Sequence, residues 1–409
     1  MHDNTLVRAL TRLGIDVQLI PTYTPLRTDE ENVSIDHVFF GGVNVYLEQT
    51  VPLYRYLPAA FGRVFDRPWL IRWATSRATA TSARTLGALT VSMLRGTRGR
   101  QRTEVGKLCS WLATVVQPRL LCFSNVLIAG CIPRLKAELR VPILVTLQGD
   151  DIFLDSLPEP YRTQSFEEIR RLVDQVDGFL VHSRFYGEYM QEYFGIPAEK
   201  LFQVPLGIDV NGFPQPDDAT SRPPTIGYLA RLAPEKGLHV LVDAFLELRR
   251  RRQTHNARLH IAGWLGPSQR GYADAQFAKL RSAGLQDAYH YAGSVDRAGK
   301  MEFLSHLHVL SVPTTYQEPK GLFVLEALAA GVPVVQPSHG AFPELLENLG
   351  GGRLVAPNDP QQLADQLMEL LCDEALRQNL GQQGRRRVHE HANADAMARE
   401  TWETIRRFL

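Results

Sequence analysis

Short apolar runs alternate with helix-period stretches along the second half of the chain. From Pro224 onward, the runs at 225–230, 258–263, 289–293, 308–312 and 332–335 read as strands. Between them, 237–252, 272–282, a segment N-capped by Asp296, and 322–330 read as helices. Strands separated by helical segments need crossover connections, so the pattern predicts a parallel sheet with helices on both faces. In such a doubly wound α/β domain, ligands are expected at the carboxyl ends of the strands.

The first half repeats the theme less cleanly. The runs at 16–21, 120–123, 143–147 and 179–182 read as buried strands with helices between them, and 4–13 reads as a helix. Gly41-Gly42 lies between apolar runs at 38–40 and 43–46, which suits a two-residue hairpin turn rather than a phosphate loop. Near 206–222 the texture changes to Gly, Pro, Asp and Ser, the mark of a linker. A helical stretch at 360–372, the basic run Arg385-Arg386-Arg387 and a last helix at 394–409 complete the chain. Two similar α/β domains facing a cleft are expected.

Composition narrows the classes. The 409 residues fit two or three domains, with 44% hydrophobic and 22% charged residues as in ordinary globular proteins. The formal net charge of +1 speaks against a general nucleic-acid binder. The four cysteines, Cys109, Cys122, Cys131 and Cys372, follow neither a disulfide framework nor a zinc spacing, which favours a reducing, cytoplasmic setting. No run reaches the roughly 18 apolar residues of a spanning helix. Charge is uneven locally: residues 61–107 hold ten basic side chains against two acids, Asp66 and Glu104. Such a segment suits anionic lipid headgroups or an anionic substrate, and equally a solvated helical surface.

The strongest chemical signal is the string from Glu318 through Gly321, Leu322 and Glu326 to Val335. Gly321 opens a helix expected to be amphipathic, and the exposed amides there, with the positive end of the helix dipole, form an anion site. Glu326, in the second turn, can accept hydrogen bonds from a vicinal diol such as a ribose. Glu318, in the preceding loop, can reach hydroxyls beyond the phosphates. A second signal is Arg231 at a strand end and Lys236 at the next helix start, two cations suited to phosphate oxygens.

The Glu318–Val335 string resembles the signature of the family-four retaining glycosyltransferases of the group 1 type, two-domain enzymes of the GT-B fold. The resemblance implies that Arg231 and Lys236 bind the nucleotide diphosphate, although Ala230 stands where Gly is usual. It also implies that Gly263 lies in a Gly-rich turn and that the backbone at Val295 reads the base; a plain turn carries equal weight for both. Gln148 stands where the family commonly has a His that reaches the donor sugar. Asp150-Asp151 is too little for a metal site, none is expected, and His182 reads as structural.

On that resemblance the chain divides into an acceptor-side Rossmann-like domain at 1–205 and a linker at 206–223. A nucleotide-sugar domain follows at 224–385, then a helix containing Trp402 that crosses back at 386–409. The first domain lacks the usual opening strand and Gly-rich loop, so the expectation is that the chain starts at an internal Met of a longer protein. The expected function is transfer of a sugar from a UDP- or GDP-sugar donor to a hydroxyl acceptor in glycan or glycolipid synthesis. Retention of configuration, no cofactor, and a peripheral position on the inner face of the membrane are further expectations. A GT-B-fold sugar-nucleotide epimerase and a non-catalytic nucleotide-sugar binder are the alternatives.

Overall fold

The computed structural model describes residues 2–22, 26, 28–35, 38–39, 83–214 and 222–409. The chain divides into two units. One comprises residues 3–204 and 399–409, and the other residues 205–398.

Within the first unit, β1 (Leu121–Phe123), β2 (Ile143–Thr146), β3 (Gly178–Val181) and β4 (Leu201–Gln203) pair in that order, all parallel. Every residue of β2 and β3 is buried, as expected of central strands covered by helices on both faces. One face packs into a core that includes Leu135, Ile143, Val145, Ile169, Phe179 and Tyr186. On the other, Leu144 and Leu180 meet Ile405, Trp402 and Phe408 from the end of the chain. The helix expected near 4–13 is present as His2–Arg12. Among the described residues the strand expected at 16–21 is not formed: Leu19 makes an isolated parallel bridge with Ser34, and Thr22, just beyond, one with Phe39. The Gly41-Gly42 hairpin lies outside the described residues, as does the 61–82 part of the basic segment.

The second unit carries the cleaner pattern. Its strands are β5 (Thr225–Leu229), β6 (Arg258–Ala262), β7 (Tyr289–Tyr291), β8 (Val309–Leu310), β9 (Val334–Pro337) and β10 (Gly352–Val355). They form one parallel sheet in the order β10-β9-β8-β5-β6-β7. The first strand of the unit is central and the order reverses between β5 and β8, which is the switch point of a doubly wound sheet. Asp296 caps its helix as expected, accepting from Gly299 N–H at 2.8 Å.

One expectation is corrected. The helix Leu322–Ala329 is not amphipathic, because all residues from Phe323 to Ala329 are buried. It passes through the core, and only Glu326 among them is charged. Within the linker expected at 206–223, Leu206, Ile208 and Phe213 belong to the core of the second unit. Ile208 N–H also bonds to Ala392 O at 3.1 Å. The basic run at 385–387 lies inside the helix Glu374–His391. There Arg385 donates to the Ala329 and Pro214 carbonyls, and His389 meets Ala329 O at 3.1 Å. Arg385 thus sets a cation at the carboxyl end of the buried helix, where it complements the dipole.

Candidate functional site

The switch point brings the ends of β5 and β8 side by side, and the chemistry-bearing residues sit on the loops that leave them. After β5 the chain turns through Arg231 and a short 3₁₀ turn, Pro234–Lys236, into the helix Leu238–Arg250. After β8 it runs through Thr314, Tyr316 and Glu318 to the helix Leu322–Ala329. The two loops are tied by Thr315 N–H to Glu235 O at 3.0 Å. They also approach at Gly237, where a Cβ would fall 1.7 Å from Pro313 O, so only glycine fits.

That tie delivers Lys236 to Glu318. The ammonium Nζ lies 2.7 Å from Glu318 Oε2 and donates as well to the Tyr316 hydroxyl, which itself donates to Oε2. On the other carboxylate oxygen, Gly321 N–H reaches Oε1 at 3.3 Å and Lys320 N–H at 3.4 Å. Glu318 is only 6% exposed. Burial pushes its carboxyl up, but the Lys236 charge and hydrogen bond, then Tyr316 and the Gly321 N–H, outweigh burial and hold it below the ordinary glutamate range.

From behind, the turn after β9 seats the Glu318 backbone. Ala341 N–H bonds to Glu318 O at 2.8 Å, and a Cβ on Gly340 would fall 2.6 Å from Glu318 N. His339 Nε2 lies 2.9 Å from Thr314 O, bracing the start of the same loop.

Glu326 faces a different partner. It is 7% exposed, and its Oε1 lies 2.7 Å from Lys300 Nζ, on the helix Arg297–Ser305. Arg231, by contrast, is not drawn into the Lys236–Glu318 cluster. Its side chain is 55% exposed and bonds to Glu235 Oε1 at 3.2 Å. Gly321 sits at φ +70°, where a Cβ would press on Leu345 and Phe342, and Leu322 follows as the first helical residue. Gly263, at φ +146°, is required by a backbone approach: a Cβ there would fall 1.8 Å from Ala230 O. Val295 is half-buried in the loop between β7 and Asp296.

Gln148 belongs to the first unit. Its Nε2 donates to Ser124 O at 2.8 Å and to Asp3 Oδ1 at 3.2 Å, so the amide is held on local acceptors. The neighbouring acids have structural partners: Asp150 accepts from Gln148 N–H, and Asp151 accepts from the buried Tyr186 hydroxyl at 2.6 Å. His182 is buried with Nδ1 3.4 Å from Val204 O. Among the described residues no His, Cys, Asp and Glu group could hold a metal ion. In the described part of the basic segment, Arg95 and Arg98 converge with Arg171 on Glu168.

Tyr316, Lys300 and Gly340 were not expected from the sequence. Tyr316 has no motif around it, and Lys300 reaches Glu326 only through packing of two helices. Gly340 meets Glu318 because β9 lies beside β8. A glycine after a strand and a lysine four residues past a cap were the only signals.

Residues 213–387 match the family described as Glycosyl transferases group 1, and residues 91–211 match Glycosyltransferase Family 4. Among curated relatives, the MMP alpha-(1->4)-mannosyltransferase of Mycolicibacterium hassiacum is 30% identical over 233 residues, covering 57% of this chain and 54% of that protein. The GDP-mannose-dependent alpha-(1-6)-phosphatidylinositol monomannoside mannosyltransferase of Mycobacterium tuberculosis is 27% identical over 290 residues, or 67% and 72% of the two chains. The match to the first of these thus spans about half of its length. Among solved structures, sucrose-phosphate synthase from Thermosynechococcus elongatus aligns with a TM-score of 0.64 at 22% identity, covering 75% of this chain and 78% of that one. Anabaena HepE in complex with UDP aligns with a TM-score of 0.66 at 18% identity, covering 76% and 84%. With matches running from residue 91 to residue 387 and a switch-point sheet of the same fold, the chain belongs to the GT-B glycosyltransferases of the group 1, family-four type.

Proposed function

We propose that the chain transfers a hexose from a nucleoside-diphosphate donor to a hydroxyl of a glycan or glycolipid acceptor, with retention and without a metal. The observation that carries this reading is the buried Lys236–Tyr316–Glu318 cluster at the switch point of the second sheet. A cation and a carboxylate meet there at the site where an open α/β sheet receives its ligand.

A donor diphosphate would draw on the Lys236 ammonium, on Arg231 from the exposed rim and on the amides at Gly321 and Leu322. Those fixed positive groups stabilise the charge that develops on the leaving nucleoside diphosphate. Glu318 would then orient hydroxyls of the sugar, and Glu326, held by Lys300, would take the ribose diol. Val295 would present backbone to the base, beside the turn at Gly263. Gln148 is a candidate for a donor-sugar hydroxyl; an amide can hydrogen-bond one but cannot titrate.

The relatives named for GDP-mannose favour a GDP-mannose donor and a glycolipid acceptor. The basic 61–107 segment favours a place at the inner membrane face, on anionic headgroups. No helix among the described residues is long and apolar enough to cross a membrane.

The test is a panel of UDP-, GDP- and ADP-sugars scored for release of the nucleoside diphosphate, with the sugar nucleotide itself re-examined for a changed sugar. Release from one donor, lost in Glu318→Ala, supports the transferase. A changed sugar nucleotide would make the chain an epimerase, and tight binding without any turnover in the presence of lipid and glycan acceptors would make it a binder.

A further inference from the structure

The loop between β8 and the helix Leu322–Ala329 carries Tyr316, a member of the buried cluster to which the transfer reaction has so far given no task. Tyr316 touches both charges of the site, which also meet each other directly at 2.7 Å: its hydroxyl accepts from Lys236 Nζ and donates to Glu318 Oε2. The same ammonium lies 4.7 Å from the centre of the Tyr316 ring, so the ring face also favours the cation. Lysine has three donors on a flexible stem, and here two are used inside the protein. A bound diphosphate pulls on that ammonium, and Lys236 then loses part of its hold on Glu318. The hydroxyl of Tyr316 is carried on a rigid ring and keeps its place.

We propose that Tyr316 is a positioning residue that holds the Glu318 carboxylate while Lys236 is drawn to the donor diphosphate. The proposal rests on the transferase reading and adds to it the group that keeps the two charges from having to serve one another. Burial and the neighbouring carboxylate push the Tyr316 hydroxyl well above its ordinary range, so it remains a donor throughout the working pH. The charged and titratable groups facing the pair are Lys236 from the turn after β5, Arg231 and Glu235 beside it, and His339 from the turn after β9. Burial lowers His339 and so disfavours its charged form, which leaves Lys236, Tyr316 and the Gly321 N–H as the groups that keep Glu318 ionised.

Tyr316→Phe keeps the ring and deletes the one hydrogen bond. On the donor found active in the panel, kcat is expected to fall about tenfold to a hundredfold, the range of a hydrogen bond to a charged group. The acid limb of kcat moves to higher pH, and the Kd for free GDP and UDP is unchanged because Lys236 and Glu326 remain. Placed on Glu318→Gln, the same change adds no further loss. A wild-type kcat and pH profile in Tyr316→Phe would overturn the proposal, as would a loss of nucleotide affinity in proportion to kcat.

A second readout does not need turnover. Carbon NMR of glutamate-labelled protein is expected to show the Glu318 carboxyl titrating at higher pH in Tyr316→Phe than in the wild type. If no donor reacts but this shift is seen, the transferase reading fails and the hold of Tyr316 on Glu318 stands. If donors react and the carboxyl titration does not move, Tyr316 has no such hold.

Discussion

Glu318 in the second unit and Glu168 in the first are both buried carboxylates held by cations, and the two arrangements differ in a way that separates a candidate site from a brace. In the second unit Glu318 meets one ammonium, Lys236, whose side chain is only 14% exposed, and its remaining valences go to Tyr316 and backbone amides. In the first unit Glu168 meets three guanidinium groups, Arg95, Arg98 and Arg171, whose side chains are 43%, 64% and 58% exposed. Both carboxyls are pushed up by burial and brought down further by their partners. At Glu318 the charges balance one to one at the switch point, where the transferase reading places the donor diphosphate. At Glu168 the cations face solvent and tie the turn at 95–98 to the helix Tyr161–Val173, which is a structural task.

The largest effect is expected on breaking the balanced pair. Lys236→Ala leaves Glu318 buried without its cation, and removal of one partner of a buried pair costs about 3–5 kcal/mol. Urea unfolding at pH 7 should show that loss in the second unit. Donor turnover should fall about a hundredfold to a thousandfold, as for loss of one charge-stabilising donor. The stability deficit should shrink toward acid pH, where Glu318 can take a proton, and a deficit unchanged with pH would show that the pair carries little of the effect.

Next comes the seat behind the carboxylate. Gly340→Ala places a Cβ 2.6 Å from Glu318 N and 2.7 Å from its carbonyl oxygen, both backbone atoms that cannot swing away, at φ +61°. A cost of about 1–3 kcal/mol is expected. A tenfold or greater fall in kcat should accompany it, because a displaced loop moves Glu318. The comparison is Gly284→Ala: it shares a positive φ of +72° but has open space around its Cβ, so it should lose stability by strain alone and keep its turnover.

These residues also mark how far the sequence could be read. The strands β5 to β9 of the second sheet, the Asp296 cap and the glycine at the start of the Leu322–Ala329 helix were legible because each is a local pattern of burial or backbone geometry. β4 and β10 were missed because neither is a buried apolar run: β4 ends on the exposed Gln203, and β10 carries Arg353 and the exposed Leu354 on a sheet edge. At 16–21 an apolar run looked like a strand, but apolar character does not fix pairing, and among the described residues it makes an isolated bridge at Leu19. Glu318 and Lys236 could be named separately from their motifs. Their contact with one another, and the places of Tyr316, Lys300 and Gly340, depend on which strands are neighbours, and no local pattern holds that information.

A smaller effect is expected on the brace. Glu168→Gln removes the charge that gathers three arginines, and since these are half exposed and screened by solvent, a loss of about 1–2 kcal/mol is expected. The sign with pH follows from the depressed carboxyl: its contribution is fully present above the unfolded value near about 4.3 and is lost as pH falls through the folded value. Acid unfolding of the first unit should therefore be flatter in Glu168→Gln below about pH 5. Donor turnover should stay at the wild-type level, and a fall as large as that of Gly340→Ala would erase the distinction between the two carboxylates.

The smallest effect sharpens the comparison at the rim of the site. Glu235 accepts from Arg231 at 3.2 Å, and the arginine side chain is 55% exposed, so the pair contributes at most about 0.5 kcal/mol to stability. Its carboxylate nevertheless competes for the cation that the transferase reading gives to the donor diphosphate. Glu235→Ala leaves the backbone bond from Thr315 N–H in place, because that bond goes to the Glu235 carbonyl. KM for the donor should fall about twofold at low salt, and the gain should vanish near about 0.5 M salt, where interactions between exposed charges are screened. A rise in KM instead would mean that Glu235 orients Arg231 for the ligand, and the rim would then resemble the Lys236–Glu318 pair more than the arginines around Glu168.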